Sequence, residues 1–266
     1  MRAVAGRFDA ILLAGSRKAG DPLAEARGVA FKCLIPILDV PMLSRVVRAL
    51  AGSSPIGRIV LVGEPSLIDV DPELGALAEA GRLITLPAAS SPSRSVALAL
   101  ERLGSWPVLV TTADHPLLTP ELIERFLAEA GGSGADVAAG LTPAEAILAR
   151  FPDNKRTYWK FKDGRFSGAN LFALLTPAAE KAVLFWRRVE EERKRPWRIA
   201  RLFGLRHLLA YLTGRLSLDA AFGRASSVVG TKLAAVRLPV AEAAIDVDKL
   251  EDLLLVEKIL RERAHA

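Results

Sequence analysis

Apolar runs and amphipathic stretches alternate along the first half of the chain. Nearly continuous apolar runs are typical of strands that are covered on both faces. These runs lie at residues 8–14, 58–62, 83–86, 107–112 and 135–139. Between them, apolar positions at helical spacing predict helices at 41–50, at 93–103 and after Thr119, a favourable N-cap followed by Pro. The alternation predicts an α/β fold with three layers, α/β/α and Rossmann-like, around a mainly parallel sheet.

The second half of the chain is less regular. Strands are expected at 157–161 and 165–173, joined as a β-hairpin with Asp163-Gly164 at the turn. A long helix is expected at 177–195, ended by Pro196, with further helices to about 224, a strand at 232–238 and a helix at 249–263. We therefore expect a single domain over residues 1–266 with a helical insertion or lid at 176–226.

Composition excludes several classes of protein. The 266 residues are 51% hydrophobic, which is enough for a packed core and excludes extensive disorder. A single cysteine excludes a disulfide framework and a cysteine-rich zinc site, and three scattered histidines argue against a histidine-rich metal cage. No stretch approaches the ~20 uncharged apolar residues of a membrane span, so a cytoplasmic protein is expected.

Residues that follow the strands are the candidates for chemistry, because ligands of parallel α/β sheets bind at the carboxyl ends of the strands. The loop after the first strand contains a glycine that lets the backbone approach a phosphate, and two cations suit a triphosphate. The candidate nucleotide-binding residues here are Leu13, Ala14, Gly15 and Ser16, and the candidate catalytic cations are Arg17 and Lys32. The alternative is an ordinary turn with two surface cations.

A carboxylate follows the strand at 107–112. Thr112 and Ala113 are further candidate nucleotide-binding residues. Asp114, which follows them, stands where a Mg²⁺ that bridges nucleotide phosphates would be held, since magnesium uses one or two carboxylates together with phosphates and water. The alternative is a turn aspartate that accepts hydrogen bonds from local amides. Near the C-terminus, Asp248 and Glu251 also form a good capping box for the last helix.

These segments, in this order, resemble the MobA-like and sugar-nucleotide nucleotidyltransferases, a family with a GT-A-like fold that includes molybdenum-cofactor guanylyltransferases and many cytidylyltransferases. The family opens with L-x-A-G-x-G-x-R, followed by a lysine in K-x-L-x-P and a later P-M-L. This chain has matching residues at Leu13, Ala14, Gly15, Arg17, Lys32, Leu34, Pro36, Pro41, Met42 and Leu43. The second glycine of the motif is absent, and residues 21–30 lengthen the loop before Lys32.

The resemblance implies roles for later segments. It implies that the chain is Mg²⁺-dependent, with Asp114 and a second ligand from I-D-V-D at 245–248, where Asp248 fits best and Asp246 is next. The serines at 90–95 resemble a loop of cytidylyltransferases that contacts the pyrimidine, which implies nucleotide contacts by Ser91 and Ser95. The alternative for this loop is a helix N-terminus capped by a serine.

The expected hairpin supplies candidates for acceptor binding. The run Ser167-Gly168-Ala169-Asn170 resembles a family segment that contacts the acceptor, which implies roles for Gly168 and Asn170. Arg156 and Lys160 would suit an anionic acceptor. A solvated edge hairpin with lysines that discourage aggregation is the alternative for the lysines.

Basic residues are concentrated in one region. The segment from Arg187 to Arg215 carries a formal charge of +6, which equals that of the whole chain. Leucines at 205, 208, 209 and 212 make one helical stripe within it. Three interpretations stay open for residues 187–216: a lid over the acceptor site, a surface in peripheral contact with an acidic membrane, or an amphipathic core helix with a solvated basic face.

The expected function is Mg²⁺-dependent transfer of a nucleotide, with CTP favoured over GTP, to a small phosphorylated alcohol or acid, with release of pyrophosphate. The acceptor would be a precursor of a lipid headgroup or a surface glycan. One alternative is a molybdopterin-type guanylyl- or cytidylyltransferase. Another is a catalytically decayed fold that binds anions or nucleic acid, although no nucleic-acid partner is expected for the enzyme.

Overall fold

The computed structural model describes residues 7–15, 20–154 and 156–265. The strands within these ranges are β1 (Phe8–Leu13), β2 (Pro36–Ile37), β3 (Val40–Pro41), β4 (Ile56–Val62), β5 (Leu83–Leu86), β6 (Val108–Thr112), β7 (Val137–Pro143), β8 (Trp159–Phe161), β9 (Gly164–Leu174) and β10 (Leu233–Arg237). The main sheet has the order β10-β7-β9-β6-β1-β4-β5, with β8 paired to β9. Strands β2 and β3 form a separate small ribbon.

The sheet is mixed but mostly parallel. Strand β1 is parallel to both β4 and β6, β4 is parallel to β5, and β7 is parallel to β10. Only β9 runs against its neighbours in the main order, β6 and β7, and it forms the predicted hairpin with β8. The chain moves from β1 to β4 and β5 on one side and returns to β6 on the other. The switch point therefore lies between β1 and β6, where α/β sheets bind ligands.

The described helices are α1 (Pro22–Ala26), α2 (Met42–Gly52), α3 (Pro72–Glu79), α4 (Pro92–Leu103), α5 (Pro120–Gly132), α6 (Ala144–Arg150), α7 (Glu180–Glu191), α8 (Pro196–Phe203), α9 (Leu205–Leu212), α10 (Leu218–Val229) and α11 (Leu250–Ala264). Short 3₁₀ helices lie at Lys32–Leu34, Pro65–Val70, Pro177–Ala179 and Ala241–Ala244. No helix of the described residues is both long and apolar enough to cross a membrane.

Two apolar layers cover the sheet, which confirms the three-layer α/β/α fold. One face packs against residues of α2, α3 and α5, such as Val46 and Phe126. The other face packs against α4 and α7 through residues such as Val96 and Val183. A third cluster joins α11 to β2 and the start of α2. The helices therefore lie on both faces, as expected for crossover connections of a mostly parallel sheet.

Local sequence signals explain most helix boundaries. The structure corrects two predictions, one at Pro196 and one at the hairpin turn. Thr119 caps α5 by accepting a hydrogen bond from the Leu122 N–H, as predicted. Pro196 was expected to end a helix but is the first residue of α8, where its missing N–H costs nothing. The hairpin turn consists of Lys162 and Asp163, one residue earlier than predicted, because Gly164 pairs with Phe161.

Candidate active site

A large cleft lies at the carboxyl ends of β1 and β6. Its volume is about 1130 Å³, and it continues along the apolar face of the sheet beneath α7 and α10. Most of the residues predicted to bind a nucleotide or a metal line it. They are Leu13, Ala14, Gly15, Lys32, Ser91, Ser95, Thr112, Ala113, Asp114 and Asp248. Ser16 and Arg17, also predicted for the triphosphate loop, lie outside the described residues.

The loop after β1 approaches the loop after β5 closely. A Cβ added at Gly15 would lie 3.0 Å from the Ala88 Cβ, which is tighter than ordinary van der Waals contact. The glycine therefore lets the two loops meet at the cleft. Both loops border the space in which a triphosphate would lie if the cleft binds a nucleotide.

One cation joins two carboxylates at the centre of the cleft. The Lys32 Nζ lies 3.0 Å from Asp114 Oδ2 and 2.5 Å from Asp248 Oδ1. The Thr112 hydroxyl donates a hydrogen bond of 2.6 Å to Asp114 Oδ1. The structure therefore brings together three of the residues that the sequence predicted for catalysis and metal binding.

Backbone contacts position this triad. The 3₁₀ helix Lys32–Leu34 carries the lysine, and Asp114 follows the end of β6. The Val247 N–H donates a 2.9 Å hydrogen bond to the Asp114 carbonyl, which ties the segment before α11 to the end of β6. Asp248 is thereby brought to Asp114 from the far end of the chain.

The start of α11 differs from the predicted capping box. The Asp252 carboxylate accepts hydrogen bonds from the backbone N–H groups of Asp248 and Lys249, and Lys249 is the N-cap residue. The pair Asp248 and Glu251 was expected in these roles, one residue earlier. Because Asp252 caps the helix, the side chain of Asp248 stays 62% exposed and points to Lys32.

Electrostatics keeps Lys32 charged. Burial would lower the pKa of this lysine, but the neighbouring carboxylates of Asp114 and Asp248 outweigh burial and raise its pKa above the ordinary value. Next to it, burial raises the pKa of the Cys33 thiol to about 12, so this thiol stays neutral. The cleft therefore presents a fixed ammonium to an anion.

The donor set fits magnesium. Asp114 and Asp248 both contact the Lys32 ammonium, so their carboxylates converge on one point in the cleft. Within the described residues, no group of three or more His, Cys, Asp or Glu side chains is arranged to hold a metal ion. Two carboxylates that leave most of the coordination to phosphates and water match the usual magnesium site of nucleotide enzymes.

Asp246 belongs to a different cluster. It forms an ion pair with Arg156 and accepts a 3.2 Å hydrogen bond from the Asn170 amide. Both members of the ion pair are largely buried, with 13% of the Arg156 and 21% of the Asp246 side chain exposed. Asp246 was the second candidate for the metal ligand of this segment, yet its carboxylate faces the acceptor candidates and not Asp114.

A bulge explains the position of Asn170. The pairing of β9 with β7 shifts between Ala139–Phe172 and Leu141–Gly168, so β9 has extra residues there. Asn170, inside the bulge, has a φ of 49°, in the left-handed region that Asn tolerates better than most residues. The bulge turns its amide toward Asp246 and into the cleft.

The serine loop is both a helix cap and part of the cleft wall. Ser91 is the N-cap of α4, and the Ser95 hydroxyl accepts a 2.9 Å hydrogen bond from the Ala89 N–H. Glu190 of α7 accepts hydrogen bonds from the Ser93 N–H (3.2 Å) and hydroxyl (2.5 Å). Sequence analysis missed Glu190, because no local pattern reveals a partner 97 residues away.

One of the remaining acceptor candidates, Gly168, lies beside a second cavity. This cavity of about 430 Å³ is lined almost wholly by apolar residues, among them Gly168, Trp159, Phe172 and Tyr211. Phe172 and Phe222 also line the main cleft, so the two spaces adjoin. Lys160 is exposed on β8 and, like Arg156, is absent from the lining of both cavities, so the structure brings only Asn170 and Gly168 of the acceptor candidates to a cavity wall.

A family comparison decides what kind of protein carries this site. The model for the MobA-like NTP transferase domain matches residues 10–220. The chain belongs to the MobA-like NTP transferase family. This confirms the resemblance seen in the sequence, and a comparison with curated proteins gives no match.

Solved structures agree with the assignment of this chain to the family. A hypothetical transferase from Thermus thermophilus is 38% identical over 93% of this chain and 99% of its own, with a TM-score of 0.78. The 4-diphosphocytidyl-2C-methyl-D-erythritol synthase of Anaerococcus prevotii is 12% identical over 96% of each chain, with a TM-score of 0.60. A CMP:2-keto-3-deoxy-manno-octonic acid synthetase, solved with CTP, is 13% identical over 97% of this chain and 99% of its own, with a TM-score of 0.58. These last two likenesses concern the fold alone.

Proposed function

We propose that this transferase is a Mg²⁺-dependent cytidylyltransferase, which joins CMP from CTP to a phosphorylated small molecule and releases pyrophosphate. The observation that carries the proposal is the Lys32 ammonium held between Asp114 and Asp248 in the cleft at the switch point of the sheet. A cation and two carboxylates at this edge suit a metal-bound triphosphate.

The proposed reaction is an in-line displacement. A phosphate oxygen of the acceptor attacks the α-phosphorus of CTP, a new P–O bond forms, and the bond to the β-phosphate oxygen breaks as pyrophosphate leaves. The attacking oxygen is already an anion, so no strong general base is needed. Catalysis then consists of positioning and charge neutralisation.

Each residue of the site has a role in this scheme. Lys32 neutralises the charge that develops on the triphosphate and the leaving pyrophosphate. Asp114 and Asp248 would hold Mg²⁺, which when bound polarises the α-phosphate as a Lewis acid. Asn170, which lines the cleft, and Arg156 behind it would position the acceptor, and Asp246 contacts both of these side chains.

The serine loop supports CTP as the donor. Ser91 and Ser95 lie in the cleft wall, and the Ser95 hydroxyl accepts a hydrogen bond from the Ala89 N–H, which fixes the conformation of the loop. A small pyrimidine suits a slot lined by such short hydroxyl side chains. Cytidylyl or CMP products also appear in the names of two structural relatives with this fold.

The test is a thermal-shift panel of CTP, GTP, ATP and UTP, each with and without Mg²⁺. A nucleotide that binds only the folded chain raises the free energy of unfolding by RT ln(1 + [L]/Kd), and the melting temperature rises with it. We expect the largest Mg²⁺-dependent shift with CTP, and its loss in Asp114→Asn. The paired control is Asp69→Asn, since Asp69 is exposed and remote from the cleft lining.

An assay of pyrophosphate release with the same protein then identifies the class of acceptor. Pyrophosphate release from CTP is measured with phosphomonoesters and with the corresponding free alcohols, and we expect release only with the phosphomonoesters. A larger shift with GTP would reassign the donor. The absence of a shift with every nucleotide would overturn the proposal.

A further inference from the structure

Helices α8 and α9 carry large apolar side chains that are exposed to solvent. In α9, Leu205 is 71%, Leu209 51% and Leu212 70% exposed. Their spacing places all three on one side of the helix, and Trp197 of α8 is 54% exposed. Such a concentration of exposed large apolar residues marks an interaction site more often than an ordinary surface.

A neighbouring side of the same helices faces the protein. Phe203 of α8 and Leu208 and Tyr211 of α9 line the second cavity, and the Tyr211 ring contacts Phe161 edge to face. Leu208, which the sequence placed in a single stripe with the other leucines, therefore points inward. The core of this chain uses one apolar face of α9 and leaves the other to solvent.

Exposed basic residues are concentrated in the same segment as the exposed apolar side chains. Eight of the nine basic residues between Arg187 and Arg215 are exposed. These are Arg188, Arg193, Lys194, Arg195, Arg198, Arg201, Arg206 and Arg215. The guanidinium groups of Arg198 and Arg201 lie 5.5 Å and 6.0 Å from the centre of the Trp197 ring.

The three acidic residues of the segment have internal partners. Glu190 accepts hydrogen bonds from Ser93, Glu191 pairs with Arg94 at 3.2 Å, and Glu192 pairs with Arg198 at 2.9 Å. Two of these contacts link α7 to α4, and the third pairs two residues within the segment. The outward charge of the segment is therefore positive.

We propose that the exposed face of α8 and α9, formed by Trp197, Leu205, Leu209 and Leu212 with the exposed basic residues of the same segment, docks on an anionic membrane surface. Leucines and a tryptophan that enter the headgroup region, flanked by arginines that meet anionic lipids, are the pattern of interfacial helices. We call this set the docking face. None of its four apolar residues lines the main cleft.

Charge favours a membrane over other occupants. A second copy of the chain would bring two positive surfaces into contact, which costs electrostatic energy. Nucleic acid would match the charge but would give the leucines no apolar partner. An anionic bilayer satisfies both the charge and the apolar surface.

The experiment is co-sedimentation of the full chain with vesicles. Vesicles of phosphatidylcholine with phosphatidylglycerol are compared with vesicles of phosphatidylcholine alone, at low and high salt. We expect binding to the anionic vesicles that weakens as salt rises, because exposed charges are screened. The double variant Leu205→Glu with Leu212→Glu should bind at least about tenfold more weakly.

A matched variant shows whether weaker vesicle binding comes from the docking face or only from the change in net charge. Leu98→Glu with Leu254→Glu makes the same change of charge at leucines that are 51% and 53% exposed on α4 and α11. It should keep nearly all of the vesicle binding. Melting temperatures of both double variants confirm that each one folds.

Fluorescence gives a second readout. Insertion into the headgroup region should shift the emission of the wild-type protein to shorter wavelength on anionic vesicles, and Trp197→Phe should remove this shift. Absence of binding at low salt, or equal binding by the two double variants, would overturn the proposal. Sedimentation velocity that shows a dimer disrupted only by Leu205→Glu with Leu212→Glu would assign the face to a second copy instead.

Discussion

Lys32 connects the two carboxylates of the candidate site, Asp114 and Asp248. Its ammonium contacts carboxylates that are 82 and 216 residues away in the sequence. With 17% of its side chain exposed, it holds a charge where the surroundings amplify electrostatic interactions. A lysine in this setting is a preorganised cation, which under the proposed function would stabilise a developing anion without reorganisation of solvent.

Replacement of Lys32 by Met tests this role at the residue scale. The methionine keeps the length of the side chain and removes the charge, so we expect the turnover number for pyrophosphate release to fall by about 10²–10³. The control is Lys258→Met on the exposed side of α11, which should leave the rate unchanged. Equal rates for the two variants, with similar melting temperatures, would contradict the assignment.

At the scale of elements, the bulge in β9 sets the direction of the Asn170 side chain. A regular antiparallel strand between β6 and β7 would alternate its side chains and offer no special direction to Asn170. The bulge instead lets one residue adopt a φ of 49° and present its amide to Asp246. Bulges near active sites commonly redirect a side chain in this way.

Two substitutions of Asn170 separate backbone conformation from side-chain function. Asn170→Gly keeps access to the left-handed conformation, whereas Asn170→Ala does not, so the alanine variant should be less stable by about 1 kcal/mol. Both lose the amide, so both should raise the KM for the acceptor. Chemical denaturation and steady-state kinetics measure the two effects, and a lower stability for the glycine variant would contradict the backbone argument.

For the molecule as a whole, the C-terminal helix is a structural part of the candidate active site. Leu253 of α11 is fully buried in the apolar cluster that contains Ile245, Val247 and Met42. This cluster and the hydrogen bond from Val247 to Asp114 hold Asp248 at the cleft. Stability of this region and activity are therefore coupled.

Neighbouring leucines of α11 test this coupling. Leu253→Ala leaves a cavity in the cluster and should cost about 2–5 kcal/mol of stability. Leu254, which is 53% exposed, should tolerate alanine within about 0.5 kcal/mol. Measured at a temperature where Leu253→Ala is still folded, its turnover should fall while that of Leu254→Ala stays near wild type. Full activity of folded Leu253→Ala would show that the cluster does not position Asp248.

Strong local patterns predicted most of the fold. The strands expected at 58–62, 83–86 and 107–112 lie within or overlap β4, β5 and β6. Helices α3 and α6 were missed, because each has fewer than nine residues and too few turns to establish a periodic stripe. The order of the strands, with β9 inserted between β6 and β7, follows from tertiary packing and has no signal in the sequence.

The sequence by itself determined the family, the α/β class and the residue types of the cleft, because buried strands and the motifs after them are local patterns. The tertiary structure decided which carboxylates meet. Asp248 reaches Lys32, while Asp246, two residues earlier, turns to Arg156 and Asn170. It also divided the leucines of α9 between the inside and the surface. Such choices depend on contacts between distant segments, which the free energy of the whole fold sets and no local pattern contains.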